Sequence, residues 1–277
     1  MKDKICIVTG ANAGIGKATA LGLAQMGATV IMLCRDARRG RAAQEAIKAQ
    51  SDNQSVSCMV ADLSSQKDVR QFALDFQLQF ERLDVLINNA GLIPSSRQLS
   101  VDGVEMQLAV NHLAPFLLTH LLLEFLKNSA PARIVTVSSQ VHAWESIDWD
   151  DLQAEKHYSP TRVYNRTKLM NVLFTYELAR RLEGSGLTAN CLHPGVVNTN
   201  MLADYMGAKR EGFRGGIPVE EGARTILYLA ASPDVEWVTG KYFHAEQESA
   251  SSPASHDEEL ARRLWDISVE LTGIAEE

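Results

Sequence analysis

Ile5-Cys-Ile-Val-Thr-Gly-Ala-Asn-Ala-Gly-Ile-Gly16 decides how this chain folds. Lys4 to Thr9 reads as a short buried strand, because Ile5, Cys6, Ile7 and Val8 form an unbroken apolar run. Gly10, Gly14 and Gly16 follow at once. A helix is expected from about Ile15 to Met26, with Ala18, Leu21, Ala24 and Gln25 in register and Gly27 ending it. Thr29 to Cys34 is a second strand. Strand, glycine turn, helix and strand open a dinucleotide-binding unit. Its glycines let the backbone approach a pyrophosphate, whose charge suits a helix N-terminus. Gly10, Asn12, Gly14, Ile15 and Gly16 are therefore candidate cofactor contacts. Their spacing is G-x-x-x-G-x-G rather than the commoner G-x-G-x-x-G, and a tight turn without ligand also accounts for it.

The tip of the second strand discriminates between cofactors. A carboxylate there would bond a free ribose 2′-hydroxyl, and an arginine would pair with a 2′-phosphate. Cys34 fills the acidic position and Arg35 follows it, with Arg38, Arg39 and Arg41 nearby. This favours NADP(H) over NAD(H). Asp36, one residue on, is the competing group, and the arginines also fit the solvated start of a helix over 38–50.

Further strands are expected at Val56–Val60, Leu83–Ile87, Ile134–Ser138, Thr188–Leu192 and Gly240–Phe243, alternating with helices. That pattern is an α/β fold: a single doubly wound, Rossmann-type parallel sheet with helices on both faces, in one domain over 1–277. Asp62 and Leu63 end the third strand, where the carboxylate can meet an adenine amine or cap a helix starting near Ser64. Asn89, Ala90 and Gly91 follow the fourth strand and fit close packing on a flat ligand. A long helix over Gly103–Leu126 contains Asn111, a poor helix former whose place there suggests water binding or a bend. Residues 196–216 lack clean periodicity but carry Met201, Leu202, Tyr205, Met206 and Phe213, as a lid over an apolar substrate would. Ser249–His256 is a polar connector, and Glu258–Leu271 a terminal helix with Leu260, Leu264, Ile267 and Leu271 on one stripe.

Tyr164 and Lys168 stand four residues apart on a helix that continues through Leu169, Val172, Leu173, Tyr176, Ala179 and Leu182. Positions i and i+4 share a helix face, so phenol and ammonium lie side by side. A free phenol is a poor base at neutral pH, and a nearby cation favours the phenolate. The pair can thus make a tyrosine an acid/base catalyst, although a Tyr-x-x-x-Lys spacing alone is common.

The net charge of −7 argues against a nucleic-acid partner or an anionic membrane surface. Cys6, Cys34, Cys58 and Cys191 have no metal-ligand spacing and read as reduced thiols, and no metal site is expected. The first strand begins too early for a signal peptide, and no apolar run reaches the ~20 residues of a membrane span. These features predict a cytoplasmic protein.

Thr9-Gly-Ala-Asn-Ala-Gly-Ile-Gly16, Asn88-Asn-Ala-Gly91, Ser139, Tyr164-x-x-x-Lys168 and Pro194-Gly195, in that order, closely resemble the short-chain dehydrogenase/reductase superfamily through nearly the whole chain. Cys-Arg-Asp at 34–36, Asn-His-Leu-Ala-Pro-Phe-Leu-Leu-Thr at 111–119 and Tyr-Glu-Leu-Ala-Arg-Arg-Leu at 176–182 resemble its retinol dehydrogenase-like branch. The resemblance implies an oxidoreductase that moves a hydride between a nicotinamide and an apolar aldehyde, ketone or alcohol, retinal-like or other. It implies a tetrad of Asn111, Ser139, Tyr164 and Lys168. Tyr164 would be the acid/base, and Lys168 would lower its pKa and bond the nicotinamide ribose. Ser139, the second of the Ser138-Ser139 pair, would hold the substrate oxygen, and Asn111 would hold a water linking Lys168 to solvent. Pro194, Gly195, Val197 and Thr199 would line the nicotinamide. A homodimer or homotetramer would form through the helices of Asn111 and Tyr164, unless the terminal helix covers them. Members of that branch often carry an N-terminal anchor; its expected absence here points to another apolar carbonyl. Two alternatives remain: a non-catalytic dinucleotide sensor or scaffold, and an epimerase or dehydratase using His142, Glu145, Asp148, Asp150 or His157.

Overall fold

The computed structural model describes residues 1–275 apart from 210, 212 and 213, so Phe213 of the expected lid lies outside the described residues. The opening unit is β1 (Ile5–Thr9), α1 (Gly14–Gln25) and β2 (Thr29–Cys34), followed by α2 (Ala37–Ser51), β3 (Val56–Val60), α3 (Gln66–Gln79) and β4 (Val85–Asn88). Next come α4 (Ala114–Leu121), α5 (Leu123–Asn128), β5 (Ala132–Val137), α6 (Pro160–Arg181) and β6 (Leu187–His193). The chain ends through α7 (Asn200–Tyr205), α8 (Val219–Ala231), β7 (Tyr242–His244), β8 (Gln247–Glu248) and α9 (Glu258–Thr272).

Among the described residues the strands form one sheet in the order β3-β2-β1-β4-β5-β6-β7-β8. All neighbours are parallel except β7 and β8, an antiparallel edge ribbon that the expected all-parallel sheet did not include. The chain winds outward from β1 to β3 and then returns to β4 on the other side of β1. That reversal opens a crevice at the carboxyl ends of β1 and β4, where an open α/β sheet binds its ligand. Strand side chains alternate between two cores. Ile7, Ile31, Leu86 and Ile134 pack with α3, α4 and α6, whereas Cys6, Val8, Val30 and Val135 pack with α1, α2 and α8. A sheet covered on both faces needs strands apolar on both sides, hence the continuous apolar runs.

Three expected helices differ from those observed. The helix over Gly103–Leu126 contains a π-helical stretch, Leu108–Leu113, and breaks at Leu122 between α4 and α5. Pro115 has no amide to give the Asn111 carbonyl four residues back, and its ring crowds that carbonyl, so the turn widens there. In α1 the buried residues are Gly16, Thr19, Ala20, Leu23 and Ala24, one position away from most of the expected register. In α9 they are Ala261, Leu264, Trp265, Ser268 and Thr272; of the expected stripe Leu264 is among them, Leu260 and Leu271 pack half-buried beside it, and the face is turned toward Trp265 and Ser268. Trp265 sets this rotation: its ring lies 5.1 Å from Phe116 and 6.0 Å from Phe174, with the Arg181 guanidinium 4.1 Å above it. Ser268 Oγ also meets His112 Nε2 at 2.9 Å. Helix α9 thereby covers faces of α4 and α6 that the resemblance offered for subunit pairing.

Helix α3 begins with a box in which Ser65 Oγ accepts the Asp68 amide at 3.2 Å and donates to Asp68 Oδ1 at 3.1 Å. Ser65 is therefore the cap, and Asp62, which accepts the Ser64 amide and hydroxyl at 2.9 and 2.8 Å, shapes the turn before it instead of capping the helix. Ser65→Ala should cost about 1 kcal/mol. A thermal midpoint lower by roughly 2–4 °C, with unchanged activity, is the expected result.

Candidate active site

The loop after β1 is shaped by backbone needs. Gly10 and Gly14 have φ of +69° and +55°, and a Cβ at Gly16 would fall 2.5 Å from the Gly10 carbonyl oxygen and from Asn89 Nδ2. Thr9 Oγ1 accepts the amides of Asn89 and Ala90, each at 2.9 Å, and Asn89 Nδ2 donates to the Thr9 carbonyl at 2.8 Å. The loops after β1 and β4 are thus stitched together as a floor. Ala13, the N-cap of α1, supplies no side-chain acceptor, so the first amides of α1 are left for an anion. This cradle fits the pyrophosphate of a dinucleotide.

A crevice of about 1330 Å³ runs from Arg35 and Asp62 past this loop to Tyr164 and Thr199. Drug-sized ligands occupy roughly 300–1,000 Å³, so there is room for a dinucleotide and a second molecule. Every candidate cofactor residue lines the crevice, as do Ser139, Tyr164 and Lys168; Asn111 sits behind its wall.

At the adenosine end, Arg35 is exposed and reaches the crevice edge. The Asp36 carboxylate accepts the Arg39 amide at 2.9 Å, capping α2, and that bond holds its pKa below the ordinary value. Asp36 is occupied by its own helix, while Cys34 is buried. Arg35 and Asp36 are both exposed at the strand tip and both line the crevice.

At the other end, Lys168 is 2% exposed and donates to the Val137 carbonyl at 2.9 Å, with its ammonium 5.3 Å from the Tyr164 ring centroid. Burial pulls the Lys168 pKa down to about 8. Burial, followed by the neighbouring Tyr205, pushes the Tyr164 phenol up. The Lys168 ammonium lies over the Tyr164 ring and bonds a carbonyl instead of the hydroxyl. The Tyr164 hydroxyl donates to Met201 Sδ at 3.4 Å. Ser138 Oγ donates to the Lys168 carbonyl at 2.8 Å and is buried, so it braces α6 against β5. Ser139 lines the crevice and caps the turn Gln140–Trp144. Asn111 Oδ1 accepts the Leu92 amide at 2.9 Å and its Nδ2 donates to the Leu92 carbonyl and Thr167 Oγ1 at 3.1 and 3.2 Å. The side chain fastens the loop after β4 to α6.

Residues 4–209 match the family model described as short chain dehydrogenase. Mouse retinol dehydrogenase 14 is 45% identical over 99% of this chain and 87% of its own length. Human retinol dehydrogenase 13 is 44% identical over 98% of this chain and 85% of its own. The chain belongs to the short chain dehydrogenase family. Among solved structures, an uncharacterized protein from Mycobacterium paratuberculosis superposes with a TM-score of 0.80 at 36% identity, covering 98% of this chain and 94% of that one. A short chain dehydrogenase from Escherichia coli CFT073, complexed with NADPH, superposes with a TM-score of 0.70 at 26% identity over 89% of this chain and 98% of that one.

As a short chain dehydrogenase of the retinol dehydrogenase-like branch, the protein is an oxidoreductase acting on CH–OH donors with a nicotinamide dinucleotide. The acid/base candidates of the alternative chemistries lie elsewhere. His142 is buried, Glu145 pairs with Arg162 at 2.8 Å, Asp148 caps a turn, and neither these nor Asp150 and His157 line the crevice. Sequence reasoning missed the partnership around Tyr164. Tyr205 packs edge-on to the Tyr164 ring at 5.7 Å and donates to Asn165 Oδ1 at 3.2 Å, bringing α7 and Met201 onto the site. No local signal announces a contact between residues forty positions apart. Among the described residues no helix is long and apolar enough to cross a membrane, and no cluster of side chains could hold a metal.

Proposed function

We propose that this short chain dehydrogenase interconverts an apolar aldehyde or ketone and its alcohol with NADP(H), Tyr164 acting as acid/base. The observation that carries the reading is the Tyr164 hydroxyl, aimed at an acceptor in the crevice beside an apolar cluster. Ile93 and Val141 pack beside Tyr164, with Met201 and Tyr205 over them. That lining suits an apolar body carrying one reactive oxygen, and retinol dehydrogenases among the relatives act in that class by name. When bound, the dinucleotide supplies or takes up the hydride. In reduction, the substrate oxygen takes the place of Met201 Sδ at the Tyr164 hydroxyl and receives its proton. Ser139 donates to the same oxygen as charge develops on it. Lys168 steadies the phenolate left behind, and Asn111 keeps the loop after β4 in register with α6. Helix α7 and its neighbours over 196–209 form the lid. Arg35 receives the 2′-phosphate.

The assay is nicotinamide absorbance with NADPH or NADH against all-trans-retinal, decanal and benzaldehyde. Retinal or decanal should be consumed faster than benzaldehyde; a preference for small polar carbonyls would overturn the apolar reading. Lys168 gives a pH test. Its ammonium is protonated below about 8 and lost above it. Nucleotide affinity should be full at pH 7 and decline as pH rises through about 8, which fluorescence titration would follow. A flat profile from pH 7 to ~9.5, where a Lys at its ordinary ~10.4 would still be charged, would show that Lys168 does not lose its proton near 8 in the nucleotide complex.

A further inference from the structure

We propose that His142 is a positioning residue for Ser139, holding that serine through its carbonyl by a ring whose tautomer is set by the C-terminal connector. The inference rests on the reading of Ser139 as the donor to the substrate oxygen. His142 is 3% exposed and stands three residues after Ser139, on the short turn that Ser139 caps. The Ser139 carbonyl accepts twice from it: from the backbone amide at 3.1 Å and from ring Nδ1 at 2.7 Å. On the other edge of the ring, the Ser252 amide donates to Nε2 at 2.9 Å.

These partners assign the proton without ambiguity. A backbone amide can only donate, so Nε2 is bare. A carbonyl can only accept, so Nδ1 carries the hydrogen. The ring is thereby neutral and held in one tautomer, and burial favours the same neutral form. Its face packs on Tyr242, with ring centroids 4.9 Å apart. The connector supplying Ser252 is itself tied down: Ser251 Oγ meets Tyr176 Oη at 2.7 Å and His256 Nε2 at 3.0 Å. A segment more than a hundred residues downstream therefore fixes the orientation of the peptide that carries Ser139. Two bonds to one carbonyl leave that peptide little freedom to rotate, and the Oγ is aimed accordingly. His142 itself does not line the crevice, so its effect passes through Ser139.

The two edges of the ring can be separated by substitution. In His142→Asn the amide nitrogen takes the place of Nδ1 and still donates to the Ser139 carbonyl. In His142→Gln the amide oxygen takes the place of Nε2, accepts from Ser252 and leaves the Ser139 carbonyl one donor short. Ser252→Pro removes the amide hydrogen, together with a buried hydroxyl that has no hydrogen-bond partner, and sets a ring carbon where that hydrogen pointed; the φ of −63° suits proline. Each is assayed with NADPH and whichever aldehyde of the panel the wild type reduces fastest, beside Ser139→Ala. The expected result is a fall in kcat of about tenfold for His142→Gln, the worth of one well-made hydrogen bond, with recovery in His142→Asn. Ser252→Pro should lower kcat several-fold, and KM for NADPH should stay unchanged in all three. Equal losses in the Asn and Gln variants, or a rise in KM for NADPH matching the fall in kcat, would overturn the inference. Wild-type kcat in Ser139→Ala would overturn the reading of Ser139 and this inference with it. A large loss in Ser139→Ala with none in His142→Gln would overturn the inference alone.

Discussion

Tyr164→Phe should lower kcat by about 10²–10⁴, the usual worth of a positioned proton transfer, and leave nucleotide affinity intact. The substitution removes one oxygen and keeps the ring. That ring packs with Ile93 and Val141 and faces the Lys168 ammonium, so packing and the fold are preserved. What disappears is the hydroxyl that donates to Met201 Sδ. Because burial pushes the Tyr164 phenol up, the group is protonated throughout the neutral range and enters carbonyl reduction as an acid. Alcohol oxidation needs the phenolate, so its rate in the wild type should rise with pH over a range where reduction does not. A Phe variant that keeps more than about a tenth of wild-type kcat would show that water or another group carries the proton.

Arg35→Ala should raise KM for NADPH about 10–100-fold, the cost of losing a charge-assisted pair worth roughly 1.5–3 kcal/mol. KM for NADH should move about twofold or less, since a 2′-hydroxyl offers the guanidinium no charge. The two residues at the strand tip have different duties. Both line the crevice, but Asp36 caps α2 through the Arg39 amide, whereas Arg35 carries the cation that a 2′-phosphate would pair with. Asp36→Asn keeps a capping oxygen and should leave the NADPH preference unchanged. Steady-state kinetics with both nucleotides reads both variants. Equal effects of Arg35→Ala on NADPH and NADH would remove the phosphate role. A raised KM for NADH alone in Asp36→Asn would give the ribose to Asp36.

The strands were legible because a sheet covered on both faces requires unbroken apolar runs, and Ile5 to Val8 and Val30 to Cys34 carry them. The glycine loop was legible because Gly10 and Gly14 hold φ angles that other residues avoid and Gly16 has no room for a Cβ. Tyr164 and Lys168 were legible as a pair because helical spacing alone brings them together. The break at Asn111 had a signal in Pro115, four residues on, although the length of the apolar run hid it. The face of α9 did not have one. Leu260, Ile267 and Leu271 make an acceptable stripe, and only the aromatic slot between Phe116 and Phe174 favours Trp265 over them. The same holds for Met201 on Tyr164 and Ser252 on His142, contacts that depend on how distant segments close over the sheet. The Tyr164 phenol is a related case. Spacing placed a cation nearby, but burial, which sequence does not display at single-atom level, outweighs it here.

The most direct test of the account is the ratio of kcat/KM for NADPH over NADH with one apolar aldehyde and the unmodified protein. The account predicts rapid NADPH oxidation and a ratio above about ten, reflecting one charged contact at the 2′ position. A ratio below one would contradict the Arg35 assignment. Tight nucleotide binding with no turnover on retinal or decanal would contradict the apolar carbonyl chemistry assigned to Tyr164.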